Sequence, residues 1–202
     1  MNKLIAGLVI GLSLAVTAHA DGDPQAGKKM AGVCAGCHGQ NGAEPVQPAY
    51  PKLSGLGENY LYKQLKLIQS GDRQVMEMTG ILDGMNDQDL QDLAAYFDQQ
   101  QMPIGKADPE LVDRGRKLYR GGDLSKDLAA CAGCHNPQGQ GNEPAAFPRL
   151  SGQTPGYVEA QLKAYRDGER DAGGNAQIMM DIASRLSDED IKALAAYVSG
   201  LH

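Results

Sequence analysis

Two five-residue runs carry the chemistry. Cys34, Cys37 and His38 stand in the run CAGCH, and Cys131, Cys134 and His135 stand in an identical run 97 positions later (131 against 34). In a Cys-x-x-Cys-His run, one turn of backbone presents two thiols and an imidazole together, the attachment signature of c-type haem. Each thiol can add to one vinyl group of a porphyrin, and the two thioethers fix the ring to the chain. The histidine is then carried beneath the ring, where one nitrogen binds iron and the other is oriented by an acceptor. Rival readings fit less well. Structural zinc takes four ligands, and the histidines besides these two are His19 and His202. A thioredoxin-like thiol pair belongs in a βαβ unit, and no such pattern is present. Two plain disulfides leave both histidines and the duplication unexplained. The runs therefore predict two haem c groups, held covalently by Cys34, Cys37, Cys131 and Cys134.

The second axial ligand follows from scarcity. With His38 and His135 on the proximal side, the two remaining histidines lie at the extreme ends, so bis-histidine coordination of both irons is excluded. The other good donor is a methionine thioether, which also raises the reduction potential. Beyond residue 20 the methionines are at 30, 76, 78, 85, 102, 179 and 180. A lone methionine is more often a core filler than a ligand, so the duplication has to decide. Only Met78 and Met179 occupy one position in both copies, each followed by Ile three residues on and Asp nine residues on. They are predicted to cap the first and second irons, with Met76 and Met180 next in line. An iron held by nitrogen on one side and sulfur on the other offers no open position for substrate. That argues for an electron carrier, not an enzyme.

The duplication spans almost the whole chain. AYPKLSG at 49–55 matches AFPRLSG at 146–152, and Tyr60, Gln64 and Arg73 match Tyr157, Gln161 and Arg170 at the same offset. Four extra residues around 171–175 then shift the offset to 101, and LAAY at 93–96 matches LAAY at 194–197. The second copy also carries nine additional residues between Gly115 and Cys131 (16 positions against 7 between Gly27 and Cys34), around 121–127. A period near 100 is too long for a solenoid unit and means two copies of one small domain. Residues 101–109, with two prolines and a glycine, read as the connection. The division is 21–104 for the first domain, 105–109 for the linker and 110–202 for the second.

The elements that position the motifs read as helices. Residues 25–33 lead into the first cysteine pair, and 59–69 form a second helix. Asn86 caps a helix with Leu90, Leu93, Ala94 and Phe97 on one face. Ser187 caps its counterpart, with Ile191, Leu194, Ala195 and Val198. Asp87, Asp89, Asp188 and Asp190 lie in the first turns, where the helix dipole favours negative charge. No alternating strand pattern is present, so the fold class is all-α. Loops such as 39–48 and 136–144 are long for helical domains and need something to wrap around. Ten aromatics (8 Tyr, 2 Phe, no Trp) leave two small cores short of bulk, which a porphyrin would supply.

Composition bounds the rest. The 202 residues are 42% hydrophobic and 22% charged, with net charge −6, an ordinary soluble balance and a poor one for nucleic acid, which demands clustered cations. Residues 1–20 pair Lys3 with an apolar run at 4–16 and end in Ala18-His19-Ala20. This reads as a secretory leader cleaved after Ala20, since the apolar run is shorter than the ~18 residues that cross a bilayer. The exported chain is placed in the periplasm as a monomer, with peripheral membrane association left open.

The paired Cys-x-x-Cys-His runs, the downstream methionines, the repeated P-(K/R)-LSG segments and the terminal LAAY helices resemble the dihaem cytochromes c4. The resemblance implies two class I cytochrome c domains about an approximate two-fold, with haem propionate edges near each other. It implies transfer from a quinol-oxidising cytochrome bc complex toward a terminal oxidase. The alternatives kept are a haem subunit of a dehydrogenase or oxidase complex, and a dihaem peroxidase. The resemblance also implies close helix packing at Gly27 and Gly115 against Tyr96 and Tyr197. The first half departs from the family pattern at that contact, with Ala31 where an aromatic is usual and the second half has Tyr119. A proline carbonyl is expected to orient each proximal histidine, from either the pair Pro51 and Pro148 or the pair Pro45 and Pro144. The recurring cations Lys52, Arg149, Arg73 and Arg170 pair with propionates or carboxylates, or stay solvated. Tyr60 and Tyr157 are read as core contacts, and His202 as an exposed terminus.

Overall fold

The computed structural model describes residues 22–202; the leader reading at 1–20 lies outside them. The first half folds as α1 (Pro24–Met30), α2 (Gly32–His38), α3 (Glu58–Ser70) and α4 (Asp87–Asp98). The second half folds as α5 (Val112–Gly121), α6 (Ala132–His135), α7 (Pro155–Arg166), α8 (Ala176–Ala183) and α9 (Asp188–Ser199). Among the described residues there is no sheet, only two isolated bridges, Asp123 with Leu128 and Asn142 with Phe147. The helix expected at 25–33 is two helices that meet at Ala31, and the second runs on through both cysteines to His38.

Each half crosses its first helix over its last. Asn86 and Ser187 both form capping boxes, with Asp89 and Asp190 returning the bond to the cap backbone. These boxes fix where α4 and α9 begin, so their apolar faces bury Leu90, Leu93 and Phe97, and Ile191, Leu194 and Val198. At the crossing, Gly27 lies against the Asp92 carbonyl and Tyr96, and Gly115 against the Ala193 carbonyl and Tyr197. A Cβ at either position would run into backbone, so glycine is required by close approach. The first half keeps the crossing without an aromatic at 31, because Gly22 also meets the backbone of α4 and Ala31 is itself buried.

The LSG segments tie each long loop back onto the last helix. Leu53 N–H donates to the Gly42 carbonyl and Leu150 N–H to that of Gly139, while Gly55 and Gly152 donate to Phe97 and Val198. Residues 102–109 hold both halves: Met102 is buried in the first core, and Gly105 N–H donates to the Ser199 carbonyl.

Candidate functional site: two cavities meeting at a polar seam

Each half surrounds an apolar cavity built on its CAGCH turn. The first is walled by Cys34, Cys37, His38, Leu65, Ile68, Met78, Leu82 and Leu93. The second is walled by Cys131, Cys134, His135, Leu162, Met179, Ile182, Leu186 and Leu194. All four cysteines are free. Burial pushes the Cys34 and Cys131 thiols up to about 11, which keeps them neutral and apolar against the cavity. No group of three or more His, Cys, Asp or Glu side chains that could hold a bare metal ion occurs among the described residues.

The histidines are set for metal. His38 Nδ1 lies 2.9 Å from the Pro51 carbonyl, and His135 Nδ1 lies 2.9 Å from that of Pro148. A carbonyl can only accept, so Nδ1 carries the proton and Nε2 keeps its lone pair. Burial lowers both imidazole pKa values, which favours the neutral ligand form. Tyr50 and Phe147 flank the rings at centroid distances of 6.2 and 6.0 Å. The orienting prolines are thus Pro51 and Pro148, not Pro45 and Pro144. A porphyrin fits such a site: two thiols on one turn, an apolar slot and a fixed imidazole.

The methionines separate by surroundings. Met78 and Met179 are half-buried and each lines its cavity. Met76 touches the first cavity but is 86% exposed, and Met180 does not line the second. Met85 and Met30 pack on the first core.

The cavities meet between the halves, and the expectations for several side chains there are corrected. Tyr60 packs against the first core, as expected, and the hydroxyls of Tyr60 and Tyr157 also accept hydrogen bonds across the seam. Arg73 donates to Gln64 Oε1 at 2.7 Å, to Gln161 Oε1 at 3.0 Å and to the Tyr157 hydroxyl at 3.2 Å. Arg170 donates to Gln161 Oε1 at 2.7 Å, to Gln64 Oε1 at 2.9 Å and to the Tyr60 hydroxyl at 2.9 Å. Each arginine holds its own half's glutamine and the other half's tyrosine and glutamine, an isologous exchange. Tyr60, Gln64, Tyr157, Gln161 and Arg170 line both cavities. The partners of these guanidiniums are neutral oxygens, so the seam is electropositive. Burial alone would push the Tyr157 phenol up, but Arg73 and Arg170 outweigh it and bring it down to about 8. The same burial wins at Tyr60, which is pushed up.

Lys52 and Arg149 likewise bind neutral oxygens, Arg149 through the Ser151 carbonyl at 3.1 Å and hydroxyl at 3.3 Å. Lys52 Nζ donates to the Pro103 and Gly152 carbonyls, each at 2.7 Å. The buried Gln153 amide pairs with Lys52 N–H and C=O across the seam at 2.8 and 2.9 Å. Sequence reasoning missed Gln153 and Tyr165. The Arg170 guanidinium stacks 4.6 Å from the Tyr165 ring centroid, a contact that Ile68 at the matching position cannot make. His202 is exposed, as expected.

The comparisons with known proteins agree with this architecture. The cytochrome c family profile matches residues 24–101 and 112–202, one match per half. The chain is 49% identical to cytochrome c4 of Azotobacter vinelandii over 100% of both chains. The crystal structure of reduced recombinant cytochrome c4 from Pseudomonas stutzeri superposes with a TM-score of 0.86 at 46% identity, over 90% of this chain and 100% of that one. A thiosulfate dehydrogenase electron acceptor of Thiomonas intermedia is 34% identical over 82% of this chain and 77% of its own length. No helix among the described residues is long and apolar enough to cross a membrane. With two helical haem-type pockets in tandem and full-length identity near one half, the chain belongs to the cytochrome c4 family: an electron-transfer protein of two cytochrome c domains, with a covalent haem c at each Cys-x-x-Cys-His.

Proposed function

We propose that the protein is a periplasmic shuttle that takes single electrons from a quinol-oxidising cytochrome bc complex and delivers them to a terminal oxidase. The haem irons supply the one-electron ferric–ferrous couple. In this reading His38 and Met78 hold the first iron, and His135 and Met179 the second. The observation that carries it is the placement of one methionine from each copy on the cavity whose histidine is already fixed by a proline carbonyl. With both faces of the metal taken, the chain's work is to bind, insulate and orient. Arg73 and Arg170, bonded only to neutral oxygens at the seam, would attract the anionic propionate edges of both groups. The reading includes cleavage after Ala20, domains at 21–104 and 110–202 about a 105–109 linker, and a monomeric carrier.

Redox-titrated optical spectroscopy of the wild type beside Met78→Ala and Met179→Ala tests the ligands. Each substitution removes one of two sulfur–iron charge-transfer bands and lowers one midpoint potential. Bands indifferent to both substitutions overturn the assignment. A second donor class is favoured by the likeness to the Thiomonas intermedia acceptor. Stopped-flow reduction by a purified bc complex with quinol, beside reduction by a thiosulfate dehydrogenase with thiosulfate, separates the two. The physiological donor is the one that reduces the protein at least roughly tenfold faster, which corresponds to about 1.4 kcal/mol in activation free energy.

A further inference from the structure

The two ligand-bearing segments are built differently. In the first half, Met78 ends a single 3-10 turn, Met76–Met78, between an extended Val75 and a Thr79 outside helical geometry. The turn is closed only by its own backbone: Met78 N–H to Val75, Thr79 N–H to Met76 and Ile81 N–H to Met78. No side chain from 74 to 81 makes a hydrogen bond among the described residues. The anchors lie outside the segment. On one side Arg73 N–H donates to Leu67, and on the other Gln69 Nε2 donates to the Leu82 and Met85 carbonyls at 2.8 and 2.7 Å. Met76 is 86% and Ile81 39% exposed. Gly80, at φ 79°, has open space around it and suits a hinge.

In the second half, Met179 sits inside α8, eight residues long, whose Ala176 and Ala183 are buried. Asn175, just before it, donates from Nδ2 to the Ala145 carbonyl at 3.0 Å. Past its end, Arg185 binds the Asp181 carbonyl and carboxylate and reaches the Asp127 carbonyl of the second-half insertion at 3.1 Å. The four extra residues around 171–175 bring Gly173 against Leu67 and Lys63 of α3. Contacts that the first copy lacks, from Asn175, Arg185 and Gly173, thus restrain the segment that bears Met179.

Resting on the assignment of Met78 and Met179 as iron donors, we propose that residues 74–81 form an opening flap, so that the first half, and not the second, admits a small neutral nitrogen donor in place of its methionine. Met78 swings out with the turn, and the thioether lone pair is exchanged for that of the incoming ligand. No electron or proton is transferred. The second half is closed to such a ligand because Met179 leaves only if α8 breaks its anchors.

Imidazole titration of the ferric holoprotein, followed through the sulfur–iron band, tests this. Half of the band disappears at an imidazole concentration at least roughly tenfold below that needed for the remainder, the size expected from the loss of two or three side-chain hydrogen bonds. Hydrogen exchange read by mass spectrometry assigns the event, with peptides covering 74–81 speeding up on imidazole addition while those covering 175–186 do not. In the double variant Asn175→Ala, Arg185→Gln the two half-saturation points converge. Loss of both halves of the band at one concentration, or faster exchange at 175–186 first, overturns the flap. A ferric protein with no sulfur–iron band before imidazole is added overturns the methionine assignment instead, so the two failures are distinguishable.

Discussion

Where the two halves face each other they repeat one Tyr–Gln–Arg cluster, and where they face away they differ. At the seam, Tyr60, Gln64 and Arg73 repeat as Tyr157, Gln161 and Arg170, and each arginine makes the same three kinds of bond. On the flanks, Ala31 becomes Tyr119, Gly39 becomes Asn136, and a bare turn becomes α8. A two-fold contact must be self-complementary, since a residue that meets a partner across it is met in turn by that partner's copy. Changing one copy at such a contact leaves a partner unsatisfied in both halves. An outer flank has no such reciprocity, so each copy can acquire its own supports. The lesson is that the seam behaves as one structure, while the flanks behave as two.

The largest expected effect tests that unity. Arg170→Ala removes three charge-assisted bonds and the stack on Tyr165, leaving Tyr60, Gln64 and Gln161 short of a donor in a buried place. A loss of about 3 kcal/mol is expected. Arg73→Ala removes the matching three bonds, to Gln64, Gln161 and Tyr157, at a half-buried position without an aromatic under the guanidinium, and about 2 kcal/mol is expected. Denaturant unfolding followed separately by Soret absorption and by tyrosine fluorescence gives both numbers. It also shows whether either variant splits one transition into two. Equal losses would mean that Tyr165 adds nothing and that the seam is symmetric in energy as well as in sequence.

A flank supplies the next test. Asp190 is fully buried in the second half and receives Arg114 and Lys126, the latter at 2.7 Å, with Ser187 closing the capping box. Its counterpart Asp89 is half-buried and makes only the box. Burial alone would push the Asp190 carboxyl up, but the bonds from Lys126, Ser187 and Arg114 bring it down to about 2. A folded-state pKa below the ordinary 3.8 means stability that is complete above about pH 4 and lost as pH falls through about 2. Asp190→Asn is therefore expected to cost about 2 kcal/mol at neutral pH. Asp89→Asn should cost only about 0.5 kcal/mol, the helix-dipole share. Thermal melts at pH 7, 4 and 2.5 check the sign: the penalty of Asp190→Asn shrinks toward acid, and that of Asp89→Asn stays small throughout.

Much of this molecule can be read before it is folded, because the motifs are local. One helical turn sets Cys34, Cys37 and His38 together, and Asn86 and Ser187 announce their helices by residue type alone. The duplication adds what one copy could not, separating Met78 and Met179 from five other methionines. Features that depend on which loop returns to which neighbour stay hidden. The sequence shows that Arg73 and Arg170 recur but not that they grip opposite halves, because recurrence carries no information about partners. Asp190 looks like any other first-turn acid until the insertion folds Lys126 back onto it. Pro51 and Pro45 sit in similar settings, and only the path of the loop brings the Pro51 carbonyl to His38. Tyr165 has no counterpart in the first copy, so the repeat gave it no weight.

The smallest effect concerns the residue that follows each histidine. Gly39 has φ 76° and ψ 170°, and Asn136 at the matching place has φ 71° and ψ 146°. This region of backbone space is essentially reserved for glycine, and another residue there stores roughly 1–3 kcal/mol. The second half keeps its asparagine in place because the fully buried Tyr119 donates from its hydroxyl to the Asn136 carbonyl at 2.7 Å. The asparagine side chain also accepts from Gln138 N–H at 2.9 Å. The first half, with Ala31 and Gly39, has neither the strain nor the brace. Asn136→Gly should stabilise the second half by about 0.5–1 kcal/mol, the relief of strain being partly offset by the freer unfolded glycine and the lost side-chain bond. Tyr119→Phe should destabilise wild type by about 1 kcal/mol but cost less in the Asn136→Gly background, where there is no strained residue left to brace. A double-mutant cycle by denaturant unfolding measures this coupling, and a value of zero would mean that the tyrosine only fills space.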